Sequence, residues 1–232
     1  MKTVGIIGGT GPEATVDYYQ QIIASYREQA QDDSYPQIII NSINLKTMVS
    51  LLEANDLKGL TNFLLVEVRK LAHAGATFGL LSANTPHVVF DELNAQSPIQ
   101  LISIVEATCE AAARLQLKRL GLFGTRFTME GRFYPEVFSR KGMTLVLPDG
   151  EERAYIHDKY VNELVLGNFL PETRERLLMI AERLREQDGI EALILGGTEL
   201  PLILRDDANR KIPFLDTTRI HVAAIVAQLL LS

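Results

Sequence analysis

The 232 residues are 47% hydrophobic and carry a formal net charge of −6, enough chain to bury a full core as one large domain or two lobes of about 100 residues each. No run of Lys and Arg stands out, which argues against a nucleic-acid or membrane-surface partner, and no apolar stretch reaches the roughly 18 residues of a membrane span. One cysteine, Cys109, excludes a disulfide framework and a zinc cluster within one chain.

Taken in chain order, short apolar runs alternate with helical patterns. Thr3–Gly8 reads as a strand from the first residues onward, so a signal peptide is not expected, and the simplest placement is cytoplasmic. Pro12–Gln31 reads as a helix with proline in its first turn, followed by a strand over Gln37–Ile43. Leu57–Ala74 has apolar residues at helical spacing and stops before Gly75; Thr77–Leu81 is the next strand. Ser103–Leu115 is a helix, and Cys109 sits on its apolar stripe as a small core residue. Strands at Leu120–Phe123, Met143–Val146 and Ala192–Leu195 alternate with helices at Glu130–Lys141, Glu152–Leu166 and Pro171–Gln187. Thr217–Leu231 is a final helix. Strand–helix alternation predicts parallel sheets with right-handed crossovers, and ligands in such sheets sit at the carboxyl ends of strands. Four loops with Gly, Thr and Asn fall there: Gly8–Thr10, Ser82–His87, Gly124–Thr128 and Gly196–Glu199.

The two halves repeat one plan. VGIIGG (4–9) and GLLSANTPH (79–87) are answered by LGLFGT (120–125) and ALILGGTELP (192–201). Gly5 and Gly121 are 116 positions apart, half the chain. The fold expected is α/β: two pseudo-symmetric lobes, each a mostly parallel sheet flanked by helices, with an active-site cleft between them. The lobes are placed at 1–102 and 103–216, with a C-terminal helix over 217–232 packing back on the first.

GIIGGTGPEAT near the start, SANTPH at 82–87, GLFGT at 121–125 and GGTELP at 196–201 resemble the aspartate/glutamate racemase superfamily, over essentially the whole chain. The resemblance implies an isomerase that needs no pyridoxal cofactor and no metal, a homodimer, and a small amino or dicarboxylic acid as ligand. Long apolar helices such as Leu57–Ala74 offer a dimer contact. Racemisation requires one acid/base group on each face of Cα. The family supplies these as cysteines in its C-N-T and G-C-T-E-L signatures. The matching catalytic positions here are Ala83 and Gly197, and neither side chain holds a proton. The two-thiol mechanism cannot run, and since Ala and Gly only subtract atoms, open space is expected beside the reacting carbon.

The residues around those positions are those of a carboxylate cradle. Asn84, Thr85 and Thr198 offer amide and hydroxyl donors, and by resemblance the turns of Thr10 and Thr125 contact substrate carboxylates, with Thr128 in the same loop. The competing reading makes Asn84, Thr85 and Thr198 helix caps. Glu199 and His87 are the remaining candidate bases, against readings as a helix-terminal carboxylate and a scaffold imidazole. Lys159 and Arg126 are candidates to neutralise a side-chain carboxylate, against a reading as solvated surface charges.

A nucleotide site is disfavoured. Gly9-Thr10-Gly11-Pro12-Glu13-Ala14 satisfies a relaxed dinucleotide fingerprint, but Asn41-Ser42-Ile43 ends the second strand without an acid, and Pro12 removes an N–H a phosphate would use. Three functions stay open: a diverged enzyme of the superfamily, a non-catalytic homologue that only binds such an acid, and an engineered, inactive racemase.

Overall fold

The computed structural model of the chain describes residues 2–30, 34–204 and 211–231. They form two compact units, one drawn from residues 1–104 and 221–232, the other from 105–220. In the first, β1 (Thr3–Gly8), α1 (Pro12–Gln29), β2 (Gln37–Ser42), α2 (Leu45–Glu53), α3 (Leu57–His73) and β3 (Phe78–Leu81) follow one another. A 3-10 turn at Thr85–Val89, α4 (Phe90–Gln96) and β4 (Gln100–Ile102) come next. The chain continues through α5 (Ile104–Arg114), β5 (Arg119–Gly124), α6 (Arg126–Glu130), α7 (Phe133–Ser139), β6 (Thr144–Val146) and α8 (Gly150–Asn162). A 3-10 turn at Leu164–Leu166, α9 (Pro171–Asp188), β7 (Ala192–Gly196), α10 (Leu200–Leu204), β8 (Phe214–Asp216) and α11 (Thr217–Leu230) complete it.

Each unit holds one four-stranded sheet, ordered β2-β1-β3-β4 in the first and β6-β5-β7-β8 in the second, with every pairing parallel. The half-length repeat is therefore a repeat of topology. Gly5 pairs with Gly79 on β3, and Gly121 pairs with Leu193 on β7. The inner strands β3 and β7 are buried along their whole length, as strands covered by helices on both faces must be. Edge strand β2 is half-exposed.

In the first unit, Val4, Ile6, Tyr18, Ile22, Phe78 and Leu80 form a core with Val222, Ile225, Val226 and Leu229 of α11. In the second, Phe123, Met129, Ile156, Tyr160, Leu177, Leu184, Leu193 and Leu195 pack together. Capping fixes where the helices start. Asp56 accepts from Gly59 N at 2.8 Å ahead of α3. Asp149 accepts from Glu152 N at 2.9 Å while Glu152 accepts back from Asp149 N at 3.2 Å, a reciprocal cap on α8. Glu152 also receives both arms of the Arg183 guanidinium, which ties α8 to α9.

Several elements differ from the sequence reading. Glu130–Lys141 is not one helix: α6 ends at Glu130, Gly131 is extended, and α7 starts at Phe133. A methyl group on Gly131 would lie 2.5 Å from the Phe127 carbonyl oxygen, so the chain turns there in space only glycine fits. Strands β4 and β8, three residues each, run almost directly into α5 and α11 and were not expected, nor were α2, α4 and α10. The first helix ends at Gln29, and its expected terminus Gln31 falls outside the described residues. No helix among the described residues is long and apolar enough to cross a membrane.

Two glycines of the second unit give a paired test of this packing. A methyl group on Gly124 would lie 2.6 Å from the Gly196 carbonyl oxygen and 2.9 Å from Thr128 Cβ, whereas one on Gly150 meets nothing. Gly124→Ala is expected to cost about 1–3 kcal/mol by overpacking. Gly150→Ala is expected to be neutral or slightly stabilising. Equal midpoints for the two variants in urea unfolding would contradict the packing described.

Candidate active site

Apart from Lys159, which lies on α8, the polar residues singled out from sequence lie in the loops after β1, β3, β5 and β7, and each unit is built separately. In the first unit, the turn after β1 is shaped by Gly9, whose φ of 78° belongs to the left-handed region. Gly9 N donates to Thr15 Oγ1 at 2.9 Å, which locks the turn onto the first helical turn of α1. Thr10 is buried, and its hydroxyl reaches the Ser82 carbonyl at 3.4 Å. Ser82 in turn donates to the Ile7 carbonyl from both its amide and its hydroxyl at 3.0 Å. The loop after β3 is thus held against the loop after β1. Ala83 and Asn84 are buried in it, and Thr85 opens the 3-10 turn.

His87 is buried, and both its ring nitrogens are used by backbone. Nε2 accepts from Ile104 N at 3.2 Å, so Nδ1 carries the proton and donates to the Ala83 carbonyl at 2.9 Å. The ring stacks on Phe90 at 4.9 Å. Burial, reinforced by repulsion from His221, pushes its pKa down to about 3. The imidazole fixes the backbone of position 83 and has no nitrogen free to serve as a base. His221 is a second buried, neutral histidine: Nε2 donates to the Ile102 carbonyl at 3.0 Å and Nδ1 accepts from the Tyr18 hydroxyl at 2.8 Å. Burial holds its pKa near 4.

In the second unit, Thr125 caps α6, accepting from Thr128 N at 3.2 Å, and the two hydroxyls lie 3.3 Å apart. Thr128 is fully buried beside Gly124 and Gly196. Lys159 does not stand free: its ammonium pairs with Glu163, which raises the lysine pKa and lowers that of the glutamate. Arg126 is exposed, with its guanidinium 5.6 Å from the Phe127 ring centroid. Cys109 is buried, and desolvation raises its thiol pKa; the chain's one cysteine lies on α5, not at position 83 or 197.

The space expected beside Gly197 is absent. A methyl group there would overlap Tyr160 Cε2 and lie 2.9 Å from the phenolic oxygen. The Tyr160 hydroxyl donates to Glu199 Oε2 in a short hydrogen bond, and Thr198 Oγ1 donates to the same oxygen at 3.1 Å. Glu199 is 1% exposed, and its Oε1 has no hydrogen-bond partner. Burial raises the pKa of both groups, that of Tyr160 well above its usual value. Sequence reasoning missed Tyr160. It lies four residues after Ile156 and four before Leu164 on a buried helical stripe, and reads as an ordinary core aromatic. Only its distance from a glycine 37 positions later marks it.

A model of the Asp/Glu/hydantoin racemase family matches residues 7–225. The chain belongs to that family, with one cysteine where paired-thiol chemistry needs two. An aspartate racemase homologue from Pyrococcus horikoshii OT3 superposes with a TM-score of 0.84 at 34% identity, covering 99% of both chains. An aspartate racemase from Picrophilus torridus shares the fold with a TM-score of 0.79 at 22% identity, over 99% of this chain and 94% of that one. Among curated proteins, the broad specificity amino-acid racemase RacX of Bacillus subtilis is 24% identical over 224 residues, 93% of this chain and 92% of RacX.

The buried histidines set an acid limit. Both folded pKa values lie below the ordinary 6.5, so the unfolded chain binds more protons between about pH 3 and 6.5. The stability they contribute is complete above pH 6.5 and declines toward pH 4, by about 1.4 kcal/mol per pH unit for each ring. His221→Gln, which does not titrate, is expected to be less stable at pH 7.5 and to lose stability less steeply between pH 6.5 and 5. Parallel curves for variant and wild type in denaturant titrations would contradict this.

Proposed function

We propose that this chain binds a small amino or dicarboxylic acid through the loops that follow its inner strands, and performs acid/base chemistry on it by a route other than a pair of thiols. The carrying observation is membership of the Asp/Glu/hydantoin racemase family together with Ala83 and Gly197 at the positions of the family cysteines; the Thr10 and Thr198 hydroxyls are bonded to the Ser82 carbonyl and Glu199 Oε2 and would turn to a ligand carboxylate on binding. Open α/β sheets place ligands at such strand ends, and hydroxyl and amide groups suit a carboxylate. The relation to RacX, a broad specificity amino-acid racemase, supports the ligand class. Thr85, Thr125 and Thr128 belong to the same loops, and we assign them supporting roles in binding. Lys159, paired with Glu163, enters only if that pair opens. The same reading includes a homodimer working in the cytoplasm, with no pyridoxal cofactor.

A non-catalytic binding homologue is the second reading, favoured by the loss of both thiols.

Aspartate, glutamate or malate at about 100 times the dissociation constant is expected to add about 2.7 kcal/mol of stability, visible as a rise in melting temperature. Thr198→Ala and Asn84→Ala are each expected to weaken binding about tenfold, the scale of one lost hydrogen bond. Chiral chromatography should show no interconversion of L- and D-aspartate or L- and D-glutamate. A flat thermal-shift response to all of these acids would overturn the ligand assignment, and racemisation would overturn the loss of two-face chemistry.

A further inference from the structure

Position 197 follows β7 directly, at the end of the sheet where a ligand is expected, and its side-chain volume is occupied by a neighbour. The phenolic oxygen of Tyr160 lies 2.9 Å from the point where a residue-197 Cβ would stand. A proton-bearing oxygen on α8 therefore takes the place of a side chain that the loop does not have. Behind it stands Glu199, whose Oε2 accepts from Tyr160 and Thr198 and whose Oε1 is buried without a partner. Unpaired carboxylate oxygens are seldom left in the dry interior of a protein without a use.

We propose that Tyr160, backed by Glu199, is the proton-transfer group of this site and acts on one face of the ligand's Cα. This rests on the ligand class proposed above. The Cα–H bond breaks with its electron pair moving into the ligand carboxylate as an enediolate. The released proton bonds to the Tyr160 oxygen as the phenolic proton passes to Glu199 Oε2. Reversal returns a proton along the same line. Glu199 is the net base and Tyr160 the relay, and no oxidant, reductant or second reactant is needed. Burial makes Glu199 a stronger base than an exposed glutamate. Tyr160 serves one face and no second carrier is assigned to the other, so the proton returns to the face it left. The outcome is exchange of the Cα hydrogen with retention of configuration.

The experiment uses the full-length protein in heavy water with L-aspartate, D-aspartate, L-glutamate and D-glutamate, read by proton NMR with chiral analysis of the recovered acid. The expected result is loss of the Cα–H signal for one enantiomer of at least one acid, with its configuration kept. Tyr160→Phe and Glu199→Gln are each expected to slow exchange by about 100-fold or more, the usual scale of a general acid–base group, with ligand-induced thermal stabilisation retained. A purely structural role would lower the melting temperature without separating exchange from binding. Should Tyr160→Phe fail to fold, Glu199→Gln decides alone. Thermal stabilisation without exchange in the wild type, or exchange that survives in a folded variant, overturns the proposal while leaving the ligand class intact. Absence of stabilisation by every acid overturns the ligand class and this proposal together.

Discussion

Tyr160 and a side chain at position 197 would occupy the same volume, and that competition organises the second unit's strand-end loop. The phenol belongs to a helix whose register is set by the reciprocal cap between Asp149 and Glu152 and by the Arg183 guanidinium gripping Glu152. With α8 so fixed, the ring projects from the core of Ile156, Leu177 and Leu195 toward the end of β7. Glycine at 197 lets it come that close, and Glu199 gives its hydroxyl an acceptor in surroundings that exclude water.

The two units share a topology but not a chemistry at equivalent strand ends. In the first, the side-chain hydroxyl of Ser82 and both nitrogens of His87 are spent on backbone groups, and Ala83 presents only a methyl group. In the second, a carboxylate oxygen stays unspent beside a phenol. Two-face proton transfer needs two carriers, and neither position 83 nor position 197 supplies one. Membership of the racemase family fixes the scaffold, and the lack of a proton-bearing side chain at 83 and 197 rules out paired-thiol chemistry at those positions.

Much of this was legible in the sequence, for physical reasons. The half-length repeat appears because buried parallel strands leave continuous apolar runs, and the glycines that let helices pack on them recur at the same register, as at Gly5 and Gly121. The short strands β4 and β8 escaped notice because each runs almost directly into a helix, α5 or α11, whereas the equally short β6 lies between Gly142 and Pro148. The break between α6 and α7 was hidden because Gly131 lies inside an otherwise helical pattern. Ala83 and Gly197 were visible as departures from a motif, but the consequence at 197 was not. Subtracting a side chain looks like a gain of space until a residue from another helix is seen to fill it, and nothing local to Tyr160 distinguishes it from core. The scaffold reading of His87 was available from the sequence, but its partners at Ala83 and Ile104 were not, because they are carbonyl and amide groups that no sequence pattern marks.

The central claim is that a phenol and a carboxylate stand in the place of the missing thiol at position 197. A crystal structure of the wild-type protein with bound aspartate tests it most directly. The account expects the ligand's Cα within about 3.5 Å of the Tyr160 oxygen, the reach of a near-attack arrangement, with Tyr160 still bonded to Glu199. A ligand seated away from Tyr160, or a Tyr160 ring swung out of the space beside Gly197, would contradict it.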